Sequence, residues 1–147
     1  MRVFYWEKEM KMLKIVLFLL AFVVSGMAFA RTPEAVINLV DQPLVAASGK
    51  SLTVEQVKQI ISKAAQDKKW IVTPMQNGKL NASLSWNGNK HTIMVDITCE
   101  ADRYSVTYRD SVNMNYMVKD SQPVIHPYYN RHVGALRDAI RVEMLRM

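Results

Sequence analysis

The stretch "KLNASLSWNGNKHTIMVDITCE", residues 79–100, decides the fold. Leu80, Ala82, Leu84 and Trp86 alternate with Asn81, Ser83 and Ser85. Past Asn87-Gly88 the alternation resumes, with Ile93, Val95, Ile97 and Cys99 set against Thr92, Asp96 and Thr98. Successive side chains of a strand point to opposite faces, so a period of two means one face buried and the other wet. Asn and Gly both tolerate the positive φ of a tight turn, and such a pair between two alternating runs predicts an antiparallel hairpin.

The same grammar extends outward in both directions. "KWIVTPM" (residues 69–75) leads into Gln76-Asn77-Gly78 ahead of the hairpin, and "RYSVTYRD" (residues 103–110) follows Ala101-Asp102 behind it. Four alternating runs joined by short turns predict an antiparallel meander of four strands. Tyr104, Val106 and Tyr108 join its apolar face. Ser105, Thr107 and Arg109 join the Ser/Thr-rich one, where Arg109 can pair with Asp96. The even positions Val112, Met114, Tyr116 and Val118 continue the pattern as a bent or bulged extension of the fourth strand, which "KDSQP" (residues 119–123) ends.

Helical periodicity flanks the meander. Thr53 with Gln56 three residues on forms a capping box, each side chain satisfying a backbone N–H left open at a helix start. Val54, Val57, Ile61 and Ala64 follow at spacings of three and four, widened by Ile60 and Ala65. At the C-terminal end Tyr129, Val133, Leu136, Ile140 and Met144 make a second stripe, leaving Arg137, Asp138, Arg141 and Arg146 for the outer face. The expected fold class is α+β: two layers, a four-stranded antiparallel meander with one helix before and one after, both packed on the same face. Residues 53–147 form this single domain, and residues 31–52 an extended arm and loop whose "AVINLV" (residues 35–40) is a candidate edge strand.

Residues 1–30 read as an address. Lys11 and Lys14 precede an unbroken apolar run, residues 15–24, and Ala28-Phe29-Ala30 supplies the small-x-small pattern of a signal-peptide cut, placed after Ala30. Glu7 and Glu9 weaken the basic start, which favours translation from Met10 or Met12. The alternative, a retained anchor, needs about 20 apolar residues, and Ser25-Gly26 interrupts the run early. The expected location is periplasmic or secreted, with no transmembrane segment after cleavage. The whole chain carries net +6. Without residues 1–30 it loses four basic and two acidic side chains, leaving 15 Lys and Arg against 11 Asp and Glu, net +4. That balance suits contact with anionic envelope surfaces and is too small and too scattered to argue nucleic-acid binding. Cys99 is the one cysteine, so no intrachain disulfide can form, and it reads as a small core residue on a strand.

Several phrases carry a resemblance: "W-x-x-x-P" at residues 70–74, "NGKLNASL" at 77–84, "YSVTYRDSVNMNY" at 104–116 and "IHPYYNR" at 125–131. Together they resemble a group of small exported proteins and lipoproteins of Gram-negative bacteria, of unknown function, over residues 52–140. The resemblance implies an α+β exported domain and brings no catalytic residue. Lipid-anchored members need an acceptor cysteine just after the apolar run, and this chain has none there.

Catalytic patterns are weak. His126 and His132 stand six apart, whereas two metal ligands on one helical face need three or four; His91 opens a strand, so no metal or cofactor is expected. Ser111, His126 and Asp120 are the residue types of a hydrolase triad, but Ser111 lies in no G-x-S-x-G elbow. Gly-rich phosphate loops and CxxC pairs are absent from the sequence. The densest chemistry is "IHPYYNRH", residues 125–132. Proline suits the first position of a helix, which makes His126 the expected N-cap. Tyrosine and asparagine combine contact area with adaptable hydrogen bonds, so Asn113, Asn115, Tyr116, His126, Tyr128, Asn130 and Arg131 are the candidate binding residues. The competing reading makes Tyr104, Tyr108 and Tyr129 core residues with hydroxyls at the rim, the asparagines turn formers, and the whole corner structural. The functional expectation is a non-enzymatic envelope protein that binds a protein, peptide or surface polymer. The alternatives are a small periplasmic hydrolase or other enzyme using His126, or a periplasmic inhibitor or chaperone-like module.

Overall fold

A computed structural model describes residues 31–146 of the chain; the signal-peptide reading of residues 1–30 lies outside the described residues. In chain order the elements are β1 (Glu34–Ala35), β2 (Leu39–Pro43), α1 (Val54–Asp67), β3 (Ile71–Pro74), β4 (Leu80–Trp86), β5 (His91–Cys99), β6 (Arg103–Val112), β7 (Met117–Lys119), β8 (Gln122–Ile125) and α2 (Tyr128–Met144). The fold is α+β with antiparallel sheets.

The β4–β5 hairpin pairs Trp86 with His91 at its closed end and Leu80 with Ile97 at its open end. Its turn is wider than two residues: Asn87, Gly88 and Asn89 all take positive φ, at 54°, 63° and 62°. Only Asn and Gly visit this region at low cost, which explains the run. The main sheet has five strands rather than the expected four, in the order β2-β6-β5-β4-β3. The fifth comes from the arm, whose β2 pairs with β6 through Leu39↔Val106 and Gln42↔Tyr104.

Ala82, Ile93, Val95, Ile97 and Val106 are fully buried, as the alternation requires. Both helices turn their apolar stripes into the same core: Val57, Ile60, Ile61, Ala64 and Ala65 from α1, and Tyr129, Val133, Leu136, Ile140 and Met144 from α2. Val54, expected in that stripe, stays exposed in the first turn of α1. The capping box forms: Thr53 Oγ1 accepts from the Gln56 N–H at 3.2 Å, and Gln56 Oε1 accepts from the Thr53 N–H at 2.9 Å. Lys63 of α1 pairs with the buried Glu143 of α2, which Arg146 also reaches at 2.9 Å. On the opposite face of the sheet Arg109 meets Asp96 at 3.0 Å, and Ser85 meets Thr92 at 2.8 Å.

The expected extension of the fourth strand is the main correction. β6 bulges where Met94↔Asp110 gives way to Val95↔Tyr108, so Arg109 is an extra residue and the side-chain parity reverses beyond it. Ser111 now lies opposite Ile93, and Val112 faces out at 46% exposure. The chain then leaves the sheet through Asn113 (φ 55°) and Asn115 (φ 51°). "KDSQP" does not end a strand; it makes a hairpin, with Asp120 (φ 49°) and Ser121 (φ 64°) as the two-residue turn between β7 and β8. This hairpin and β1 form a second sheet, ordered β1-β8-β7.

Candidate functional site

Pro127 already has helical angles (φ −52°, ψ −23°) and no side-chain cap of its own. His126 supplies one: its Nδ1 accepts from the Tyr128 N–H at 3.1 Å, while its own N–H donates to the Met114 carbonyl at 2.8 Å. The second bond ties the start of α2 to the segment leaving β6. An accepting Nδ1 carries no hydrogen, so this cap requires a neutral ring with its proton on Nε2. Burial, together with Arg31, His91 and Arg131, holds His126 below the usual histidine range, and Glu34 opposes them.

Helical spacing then gathers the next residues. Tyr128, Arg131 and His132 stand three and four apart and share one face of α2. The Arg131 guanidinium lies 4.7 Å from the Tyr128 ring centroid and that of Arg31 lies 4.6 Å from it. His126 packs against the same ring at 4.7 Å, and His132 meets it edge-on at 6.4 Å. Trp86, paired across the ladder with His91, stacks on that imidazole at 5.5 Å and meets His132 at 4.9 Å. His91 Nδ1 lies 3.1 Å from the Asn113 carbonyl; a carbonyl only accepts, so this nitrogen carries the hydrogen. Burial and Arg131 hold His132 below its ordinary range as well.

The seven candidate residues therefore divide. His126, Tyr128 and Arg131 come together at this corner. Asn113 joins it through His91, but its own side chain donates to the Lys90 carbonyl at 2.6 Å. Asn130 is a latch for the arm: its Oδ1 accepts from the Ile37 N–H at 3.0 Å, and its Nδ2 donates to the Ala35 carbonyl at 2.9 Å and to Glu34 at 3.3 Å. Asn115 is a turn residue. Tyr116 belongs to another group, stacked on Tyr108 at 4.6 Å, with Tyr129 edge-on to Tyr108 at 5.5 Å.

Two further expectations change. Tyr129 does not reach the rim: it is fully buried, and its hydroxyl has no hydrogen-bond partner among the described residues. Ser111, His126 and Asp120 are not joined by a hydrogen bond; Ser111 Oγ meets the Tyr108 hydroxyl at 2.9 Å, and Asp120 sits in the β7–β8 turn. Cys99 is half-buried against the core, and burial pushes its thiol up to about 11, which leaves it protonated and unreactive at neutral pH.

Sequence spacing missed Trp86, His91, His132 and Arg31 as members of the corner. The hairpin register brings Trp86 and His91 together, and Tyr128 to His132 is an i,i+4 pair, so three of the four carried a local signal. Arg31 had none. Although the three histidines all enter this region, among the described residues no group of three or more His, Cys, Asp or Glu is placed to hold a metal ion. Clefts of about 390, 430 and 240 Å³ lie elsewhere, and none of the seven candidates lines them. The corner lies outside these three clefts, and its Trp86, His91, His126, Tyr128 and His132 are each partly buried. No helix among the described residues is long and apolar enough to cross a membrane. Comparisons with protein-family models, with curated proteins and with solved structures gave no match to the chain, so the corner's role rests on its own chemistry.

Proposed function

We propose that this chain is a small exported envelope protein that works by binding rather than catalysis, its partner being a protein, peptide or surface polymer met at the corner built on Tyr128. The address rests on the basic start, apolar run and Ala28-Phe29-Ala30 cut pattern of residues 10–30 and on the resemblance to exported proteins of Gram-negative bacteria. The observation that carries the binding reading is the pair of guanidinium groups, Arg31 and Arg131, held on one half-buried tyrosine ring. Arginine pre-positioned by stacking loses less freedom on meeting a partner, and arginine and tyrosine dominate the energetics of recognition surfaces.

The test is site-directed photocrosslinking in intact cells. A photoreactive residue at Lys90, exposed and next to His91, should capture a saturable partner, and one at Lys68, at the end of α1, should not. Adding Tyr128→Ala should abolish the Lys90 adduct. Equal capture from both positions, or none from Lys90, overturns the reading. Mass spectrometry of the mature protein checks the address: an N-terminus other than Arg31 refutes the cleavage after Ala30.

A further inference from the structure

We propose that the corner on Tyr128 recognises a phosphate group, and that binding takes up protons. This rests on the binding reading above and gives it a ligand chemistry. The argument begins with what the corner has left to offer. Trp86 carries His91 and His132 against it, and Tyr128 carries two guanidiniums and two imidazoles. The aromatic faces are in use, so a base or sugar has no open ring to stack on. What the corner still offers is the guanidinium N–H groups of Arg31 and Arg131, and N–H groups recognise hydrogen-bond acceptors.

The charge balance selects an anionic acceptor. Arg31 and Arg131 make no ion pair among the described residues. Around His126 stand Arg31, His91 and Arg131, with Glu34 as the opposing carboxylate; facing His132 is Arg131. Glu34 is itself engaged by Asn130. Cationic groups held this close without matching carboxylates repel one another, and an anion placed among them removes that repulsion.

Ligand shape favours a tetrahedral oxyanion. The Arg31 and Arg131 guanidinium carbons lie 4.6 and 4.7 Å from one ring centroid, and His126 and His132 border the same ring. A group whose oxygens project in several directions can accept from more than one of these donors. A planar carboxylate presents its oxygens along one edge and serves one guanidinium well. The histidines add the proton link. For His132, burial first and Arg131 second favour the neutral ring; an arriving dianion opposes the effect of Arg131 and draws a proton from solution.

The experiment uses the protein purified as cells process it, with calorimetric titration and NMR of the Tyr128 and His132 resonances. Inorganic sulfate, whose charge is constant between pH 5.5 and 7.5, isolates the protein's own titration; a short polyphosphate and vesicles of phosphatidylglycerol in phosphatidylcholine separate a soluble chain from a lipid headgroup. The expected results are saturable shifts at the corner, affinity rising several-fold from pH 7.5 to 5.5, and proton uptake seen as buffer-dependent heat. Arg131→Gln should weaken binding about tenfold, the cost of one charge-assisted contact. Arg141→Gln, which removes the same charge at the far end of α2, should change it less than twofold. Equal loss in the two variants means general electrostatics and overturns the site, as does an absence of shifts at the corner. If the Lys90 crosslink survives 50 mM phosphate while no oxyanion shifts the corner, the phosphate inference fails and the binding reading stands. If the crosslink is absent and the anions bind, the reverse holds.

Discussion

Replacing Asn130 separates a structural latch from a ligand contact. Its side chain fills two backbone vacancies beside β1, accepting from Ile37 at 3.0 Å and donating to Ala35 at 2.9 Å. A net contribution of about 0.5–1.5 kcal/mol per bond gives about 1–3 kcal/mol for Asn130→Ala, toward the lower end because the site is partly wet. For a domain of this size each kcal/mol corresponds to roughly 3–6 °C in Tm. Asn130→Asp should be worse than alanine: it keeps the acceptor for Ile37 but turns a second oxygen toward the Ala35 carbonyl and the Glu34 carboxylate. Urea denaturation gives the ordering, and amide exchange at Ile37 reports the latch itself, with protection falling in both variants and the core strand β5 protected as before. Unchanged stability and unchanged Ile37 protection, together with a lost crosslink at the corner, would refute this reasoning and return Asn130 to the binding residues.

Tyr129→Phe should stabilise the protein by about 1–3 kcal/mol, since it removes a buried hydroxyl without a partner and keeps the ring's shape; a loss of stability in urea would show that the hydroxyl is satisfied. Acidification should cost stability. His126 and His132 have native pKa values lowered below an ordinary value near 6.5, so the unfolded chain binds more protons in that window: their contribution is complete above about pH 6.5 and is lost as pH falls through the lowered values. His126→Asn, a good cap that does not titrate, should flatten the urea midpoint between pH 7 and 5; an equal or steeper slope refutes the assignment of that loss to the cap.

What the sequence discloses follows from which interactions are local. The capping box at Thr53 and the α2 stripe from Tyr129 to Met144 are contacts within a few residues, and both form as spaced. The alternation over residues 80–108 works for the same reason. It fails just past Arg109, because one inserted residue reverses every later parity and a bulge leaves no mark in composition. The β7–β8 hairpin was hidden by its turn: Asp120 and Ser121 adopt positive φ without a glycine to announce it. At the corner, Tyr128, Arg131 and His132 are readable from helical spacing. Arg31 and the Asn130 latch depend on pairings between chain ends, which no window of residues contains.

The arm carries a kinetic implication. Ile37 and Asn130, which the latch joins, stand 93 positions apart in the chain. Bringing such distant segments together costs loop-closure entropy of about 4 kcal/mol on the logarithmic scaling, recovered only when both sheets and α2 are in place. The arm therefore docks late, after the β3 to β6 meander has formed from its short turns. A chain emerging from a ribosome can cover the edge of β6 with β2 as soon as both strands are out, but it closes the Ile37 latch only once Asn130 of α2 has followed.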